Sequence, residues 1–189
     1  RNMIFVTAGT GFGAGLILDG RLYCGTSDLA GEIGHVRLEK FGPFAYGKAG
    51  SVDGLCGGAG MAQVAAEAID AAVRRGRQSV LLMLKRRPTA KDVADAACQG
   101  DELALEIIRR VGTYWGRALA ILVDVLNPER IVMGALAVRL GELILGPARK
   151  ALRREALPKS AAVCDVVPAQ LGERLGDVAA LCVAMRLGK

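Results

Sequence analysis

Aromatic residues are scarce in this sequence: four Phe, three Tyr and one Trp make up 4% of 189 residues. The core must therefore be filled by the many Ala, Val, Leu and Ile, a composition that favours helices packed on a sheet. Cysteine pairs are missing too. Cys24, Cys56, Cys98, Cys164 and Cys182 stand apart without a C-x-x-C, and an odd count argues against a disulfide framework, so reduced thiols of a cytoplasmic protein are expected. No run of about 18 apolar residues and no signal-peptide pattern occurs, and no membrane contact is expected. The net charge of +6 gathers in short clusters (Arg74, Arg75 and Arg77; residues 85–87; residues 149–154). These lack interleaved aromatics and any recognition-helix pattern, so they read as a solvated surface that complements helix C-terminal dipoles, not as a nucleic-acid face. What the chain has in quantity is 52% hydrophobic residues and 25 glycines, enough for one sizeable core with many turns and close approaches.

Along the chain, an apolar run at residues 2–7 meets Ala8-Gly9-Thr10-Gly11-Phe12-Gly13-Ala14-Gly15, then Leu16-Ile17-Leu18 and the turn dipeptide Asp19-Gly20. This predicts a strand, a glycine turn, a second strand and a tight hairpin. Residues 25–60 are rich in Gly, Ser, Asp and Pro and are expected to be irregular; long irregular segments in compact domains are usually functional. From Met61 the apolar residues recur at helical spacing, ending near Gly76. Thr89 to Asp92 resembles a capping box with Asp in place of Glu, opening a short helix to Cys98. Asp101 caps a long helix that Asn127-Pro128 stops, and its apolar second half, residues 118–126, should make it the most buried helix. A strand over residues 130–134, an amphipathic helix over 137–154, a strand over 161–168 and a final helix over 175–187 complete one α/β unit spanning residues 1–189.

Two segments suggest chemistry. Two strands can be joined with fewer glycines than residues 7–15 contain. Consecutive backbone N–H groups freed of side chains, with a threonine hydroxyl beside them, hold phosphate oxygens; a plain tight hairpin is the competing reading. The run is neither a Walker loop, since no G-K-[ST] follows, nor a dinucleotide fingerprint, since a strand follows instead of a helix. In Gly31-Glu32-Ile33-Gly34-His35 the sole histidine lies three positions after a glutamate. A carboxylate that accepts and an imidazole that donates make a grip for a polyol, although a lone His is usually structural.

With these residues in view, the sequence is identified as resembling the ROK family of sugar kinases and regulators. The run from Thr7 to Gly15 is similar to the family's phosphate motif G-T-G-I-G-G-G, Glu32 to His35 to its E-x-G-H sugar motif, and Asn127-Pro128-Glu129-Arg130-Ile131-Val132-Met133-Gly134 to its N-P-x-x-I-V-x-G-G segment near the adenosine. Gly100-Asp101 and the closing stretch from Leu171 also fit, so the resemblance runs almost end to end. It implies an actin-like ATPase lobe of ribonuclease H-like type, a mixed sheet with packed helices. It further implies ATP and Mg2+ as cofactors, with Thr7, Gly9, Thr10, Gly11, Gly13 and Gly134 toward the nucleotide and Glu32, His35 and Asp53 toward a hexose.

Three departures accompany it. The signature C-x-C-G-x-x-G-C-x-E aligns with residues 44–53, where Phe44, Tyr46 and Ser51 replace the cysteines that, with the motif's histidine, bind a structural zinc in the family. No zinc is expected here, with packing by Phe44 and Tyr46 as its substitute. Asp53 replaces a sugar-contacting glutamate and is one methylene shorter. Ala135 replaces the second glycine near the adenosine. The family's D-x-G-x-T motif and the catalytic aspartate of its N-D pair do not occur in the chain, whose opening at Arg1-Asn2 reads like the middle of a protein. The catalytic base is therefore expected upstream of Arg1, on an N-terminal lobe toward which the final helix, residues 174–187, would pack. A glucokinase-like hexose kinase that forms homo-oligomers is the expectation. A sugar-sensing transcriptional regulator, which alone would contact nucleic acid, and a decayed remnant are the alternatives.

Overall fold

The computed structural model describes residues 1–187. Strand β1 (Met3–Ala8) alternates its burial, with Ile4, Val6 and Ala8 inward, the period expected of a strand with one face on a core. It pairs antiparallel with β2 (Phe12–Leu18), placing Thr7 opposite Gly13 and Ala8 opposite Phe12. Asp19 and Gly20 then turn the chain with φ of 51° and 76° into β3 (Arg21–Tyr23), the pair of positive φ values that a tight primed turn needs. On its other side β1 pairs parallel with β6 (Arg130–Met133), which pairs parallel with β7 (Asp165–Pro168). The sheet order is β3-β2-β1-β6-β7. An antiparallel meander on one side and parallel crossovers on the other form the mixed sheet expected.

Between these strands lie the helices and a small hairpin, β4 (Phe44–Ala45) with β5 (Lys48–Ala49). The helices are α1 (Val52–Cys56), α2 (Gly58–Arg74), α3 (Ala90–Cys98), α4 (Glu102–Leu126), α5 (Leu136–Leu140), α6 (Glu142–Glu155), α7 (Pro158–Val163) and α8 (Leu175–Leu187). Thr89 and Asp92 form the reciprocal capping box of α3. Asp101 accepts from the Ala104 N–H at 2.9 Å to cap α4. Asn127, left-handed at φ 43°, ends it. The buried face of α4 carries Trp115, whose Nε1 donates to the Cys56 carbonyl at 3.0 Å and whose ring meets Phe12 edge-on at 5.6 Å. One side chain thus ties α4 to α1 and to the start of β2.

Several expectations are corrected. The region expected to be irregular contains α1 and the first turn of α2. The glycines there serve close packing as well as turns: a Cβ on Gly60 would lie 1.9 Å from the Gly54 carbonyl oxygen. The last turn of α4 is not buried, since Val125 is 74% exposed and Asp124 turns outward to accept from the Leu157 N–H at 2.9 Å. Residues 137–154 are two helices, broken at Gly141 with φ 50°. Residues 161–163 finish α7, begun by Pro158 at a first-turn position where its missing N–H costs nothing; the strand starts only at Asp165.

Candidate functional site

The β1–β2 connection, Gly9-Thr10-Gly11, stands at the top of the sheet with a cavity on either side. The larger, about 590 Å³, is walled by the N-terminal turns of α2 (Gly58, Ala59, Ala62) and α3 (Thr89, Ala90), and by Ala135, Leu136 and Arg139 opposite. Its lining is mostly small and apolar. Arg139 is paired with Asp95 of α3. Ala135 leads into α5 at φ 51°, ψ −114°, a conformation costly for any residue with a Cβ. The smaller cleft, about 300 Å³, is lined by Thr7, Gly11, Phe12 and Gly13 from the strands, and by Glu32, His35, Tyr46 and Asp53. Gly9 and Thr10 line both. Two peptide units therefore separate an apolar cavity from a polar one.

Asp53, only 8% exposed, sits beneath the loop. Its Oδ1 accepts from the Phe12 N–H at 2.6 Å, a charge-assisted bond that fastens the start of β2 to α1. The space around this carboxylate is tight: a Cβ on Gly34 would stand 2.5 Å from Oδ2, and one on Gly11 3.1 Å from Oδ1. The shorter side chain is thus a strut for the loop as well as a wall of the cleft. Next to it, Gly31 at φ 95° accepts from the Ala14 N–H at 2.9 Å, with no room for a Cβ. This docks the turn Ile33–His35 on β2 and leaves Glu32 and His35 exposed on its rim. Cys56, directly after this region, is buried, and burial together with the Asp53 charge pushes its thiol well up. It stays neutral and is no nucleophile at physiological pH.

Of the residues singled out in the sequence, Thr7, Gly9, Thr10, Gly11, Gly13, Glu32, His35 and Asp53 converge on the smaller cleft. Gly134 does not join them; it is buried, its N–H extends the β1–β6 ladder to the Val6 carbonyl at 2.8 Å, and Ala135 takes the place on the cavity wall. The walls from α2, α3 and α5 escaped sequence reading. Their one signal is small residues at 58, 59 and 62, which an alanine-rich chain offers in many places.

The residues at the signature positions do not fit a zinc ion. Phe44 offers no donor, Tyr46 lies against His35 with ring centroids 5.6 Å apart, and Ser51 Oγ accepts from the Gly54 N–H at 3.2 Å as the cap of α1. Among the described residues no three His, Cys, Asp or Glu side chains cluster as metal ligands. The expected aromatic packing is corrected in part: Phe44 and Tyr46 are 62% and 72% exposed, only Tyr46 meets another ring, that of His35, and polar contacts hold the rest of this hairpin.

The ROK family profile matches residues 1–186. The chain belongs to the ROK family. It is 33% identical over 186 residues to a glucokinase of Halalkalibacterium halodurans, covering 94% of this chain and 54% of that protein. It is also 34% identical over 163 residues to the DNA-binding transcriptional repressor Mlc of Escherichia coli, covering 84% and 38%. The crystal structure of a ROK family glucokinase from Streptomyces griseus in complex with glucose and AMPPNP superposes with a TM-score of 0.80 at 28% identity, over 92% of this chain and 57% of that one. The chain thus spans roughly half or less of these ROK proteins, and both kinases and regulators are among them. The fold is that of the actin-like ATPase sugar kinases, as the sequence implies. No helix among the described residues is long and apolar enough to cross a membrane.

Proposed function

We propose that this chain is the nucleotide- and sugar-binding lobe of an ATP-dependent, glucokinase-like hexose kinase. The observation that carries the reading is the common wall: Gly9 and Thr10 line both the apolar cavity and the polar cleft. In-line phosphoryl transfer needs the donor phosphate and the acceptor hydroxyl side by side at a preorganised boundary. Here the loop N–H groups and the Thr10 hydroxyl would hold phosphate oxygens, and the apolar cavity would take the base and ribose. Glu32 and His35, with Asp53 behind them, would orient the hexose hydroxyls. Mg2+, when bound, would neutralise the phosphates. The base that removes the hydroxyl proton is assigned to an N-terminal lobe of the same protein, since the D-x-G-x-T motif and the aspartate of the N-D pair that the family resemblance implies do not occur in this sequence. The exposed Leu181 and Met185 of α8 suit packing toward that lobe. A cytoplasmic homo-oligomer is part of the same reading.

A second reading, a sugar-sensing regulator that also contacts DNA, is favoured by one observation. The nucleotide side carries a strained Ala135 where a glycine would sit without steric strain. Calorimetric titration of the intact protein with glucose and with AMPPNP separately distinguishes the two. A kinase lobe binds both and releases ADP in a coupled assay; a sensor binds hexose alone. Binding of neither would remove both readings.

A further inference from the structure

The β4–β5 hairpin stands beside His35 and touches it twice. The Tyr46 ring faces the imidazole at 5.6 Å with the planes 37° apart, and Lys48 Nζ donates to the His35 carbonyl at 2.6 Å. The hairpin has only two residue pairs, Phe44 with Ala49 and Ala45 with Lys48, turned through Tyr46 and Gly47 at positive φ. So short an element, with its aromatics exposed, is not stable on its own account. An amide from α2 supports it. Gln63 Oε1 accepts from the Phe44 N–H at 3.1 Å, and Gln63 Nε2 donates to the Phe44 carbonyl at 3.2 Å. One side chain therefore offers the acceptor and donor that a neighbouring strand would offer, and only one orientation of the amide satisfies both.

We propose that Gln63 is a positioning residue for His35: its amide fixes the hairpin from α2, and Tyr46 and Lys48 in turn fix the imidazole at the mouth of the polar cleft. The device needs no metal, which accounts for a chain whose signature positions hold Phe44, Tyr46 and Ser51. The consequence for hexose binding rests on the proposed function, whereas the placement of His35 does not.

The test is proton NMR of the intact protein, with the His35 ring signals identified by their loss in His35→Gln. Tyr46→Phe should keep the ring-current shift, and Tyr46→Ala should remove it. Gln63→Met, equal in length but without either hydrogen bond, should move the signals in the same direction as Tyr46→Ala and weaken glucose binding about tenfold, with the circular dichroism spectrum unchanged. If that variant does not fold, Gln63→Glu keeps the bond from the Phe44 N–H, loses the other, and should give a smaller shift of the same sign. A chelator should leave the signals where they are. Parental His35 signals in folded Gln63→Met, or signals displaced by chelator, overturn the proposal even if glucose still binds. Signals that move as expected in a protein that binds no hexose uphold the positioning and dismiss the hexose reading alone.

Discussion

Gly11, on the polar cleft, and Ala135, on the apolar cavity, have opposite problems. Gly11 is not in the left-handed region, and an added methyl would meet only the Asp53 carboxylate, Oδ1 at 3.1 Å and Cγ at 3.9 Å, a contact that asks for a shift of a few tenths of an ångström. Gly11→Ala should therefore fold with little loss in stability. If the loop holds phosphate, the methyl in the intact two-lobed protein should keep the N–H groups from their ligand and lower turnover about a hundredfold, the effect of losing one such contact; ATP affinity and melting temperature measured on one sample separate the two effects. Ala135 carries backbone strain of about 1–3 kcal/mol, against about 0.5–1 kcal/mol of extra freedom that a glycine would have when unfolded. The strain is the larger, so Ala135→Gly should raise the melting temperature by about 2–4 °C; no rise would mean that this conformation is not costly in its setting. The loop and Glu32–His35 were legible because each is one short run of sequence. Asp53 as a strut was not, because its role depends on a Phe12 N–H that is 41 residues away.

The elements that sequence predicted well carry their signals locally: the Thr89–Asp92 box, the Asp101 cap, Asn127-Pro128 and Asp19-Gly20. Those it missed answer to neighbours elsewhere in the chain. Gly54 and Gly60 lie where another backbone leaves no space for a side chain, and the break at Gly141 lets α5 and α6 point separately. The packing of α4 on α6 has the same origin. Gly112 and Gly116 lie one turn apart, and a Cβ on Gly116 would be 2.2 Å from the Ala148 carbonyl oxygen and 2.6 Å from the Ala151 Cβ. Gly116→Ala should force the helices apart and destabilise the fold by about 1–3 kcal/mol or more, measured by urea denaturation; an unchanged midpoint would show that the contact yields easily. At the start of α3, hydrogen bonds from Arg86 and then Thr89 hold the Asp92 carboxyl well below the usual range. A carboxyl with a depressed folded value stabilises fully above its unfolded value, near pH 4, and progressively less as pH falls below it. Asp92→Asn should therefore melt lower than the parent at pH 7, with the gap closing as the pH is taken below 4. A gap independent of pH would point to packing in place of charge.

At the scale of the molecule, the chain alone should show no hexose-dependent ADP release, whatever sugar is supplied, because the D-x-G-x-T motif and the catalytic aspartate of the N-D pair do not occur in its sequence. Sugar-dependent turnover that disappears on changing an aspartate of this chain would reverse that assignment. The overall architecture was readable because strand and helix patterns alternate in order; the cavity walls were not, because four separated segments supply them. The peptide units of Gly9 and Thr10 have one further consequence. On the proposed function, a ligand in either compartment would touch the same two residues as a ligand in the other, and a shift of the loop under one would change what the other meets. Thermodynamic reciprocity then requires that the factor by which glucose alters AMPPNP affinity equals the factor by which AMPPNP alters glucose affinity. In a protein that senses sugar, that equality would make the response to glucose a report on the nucleotide as well.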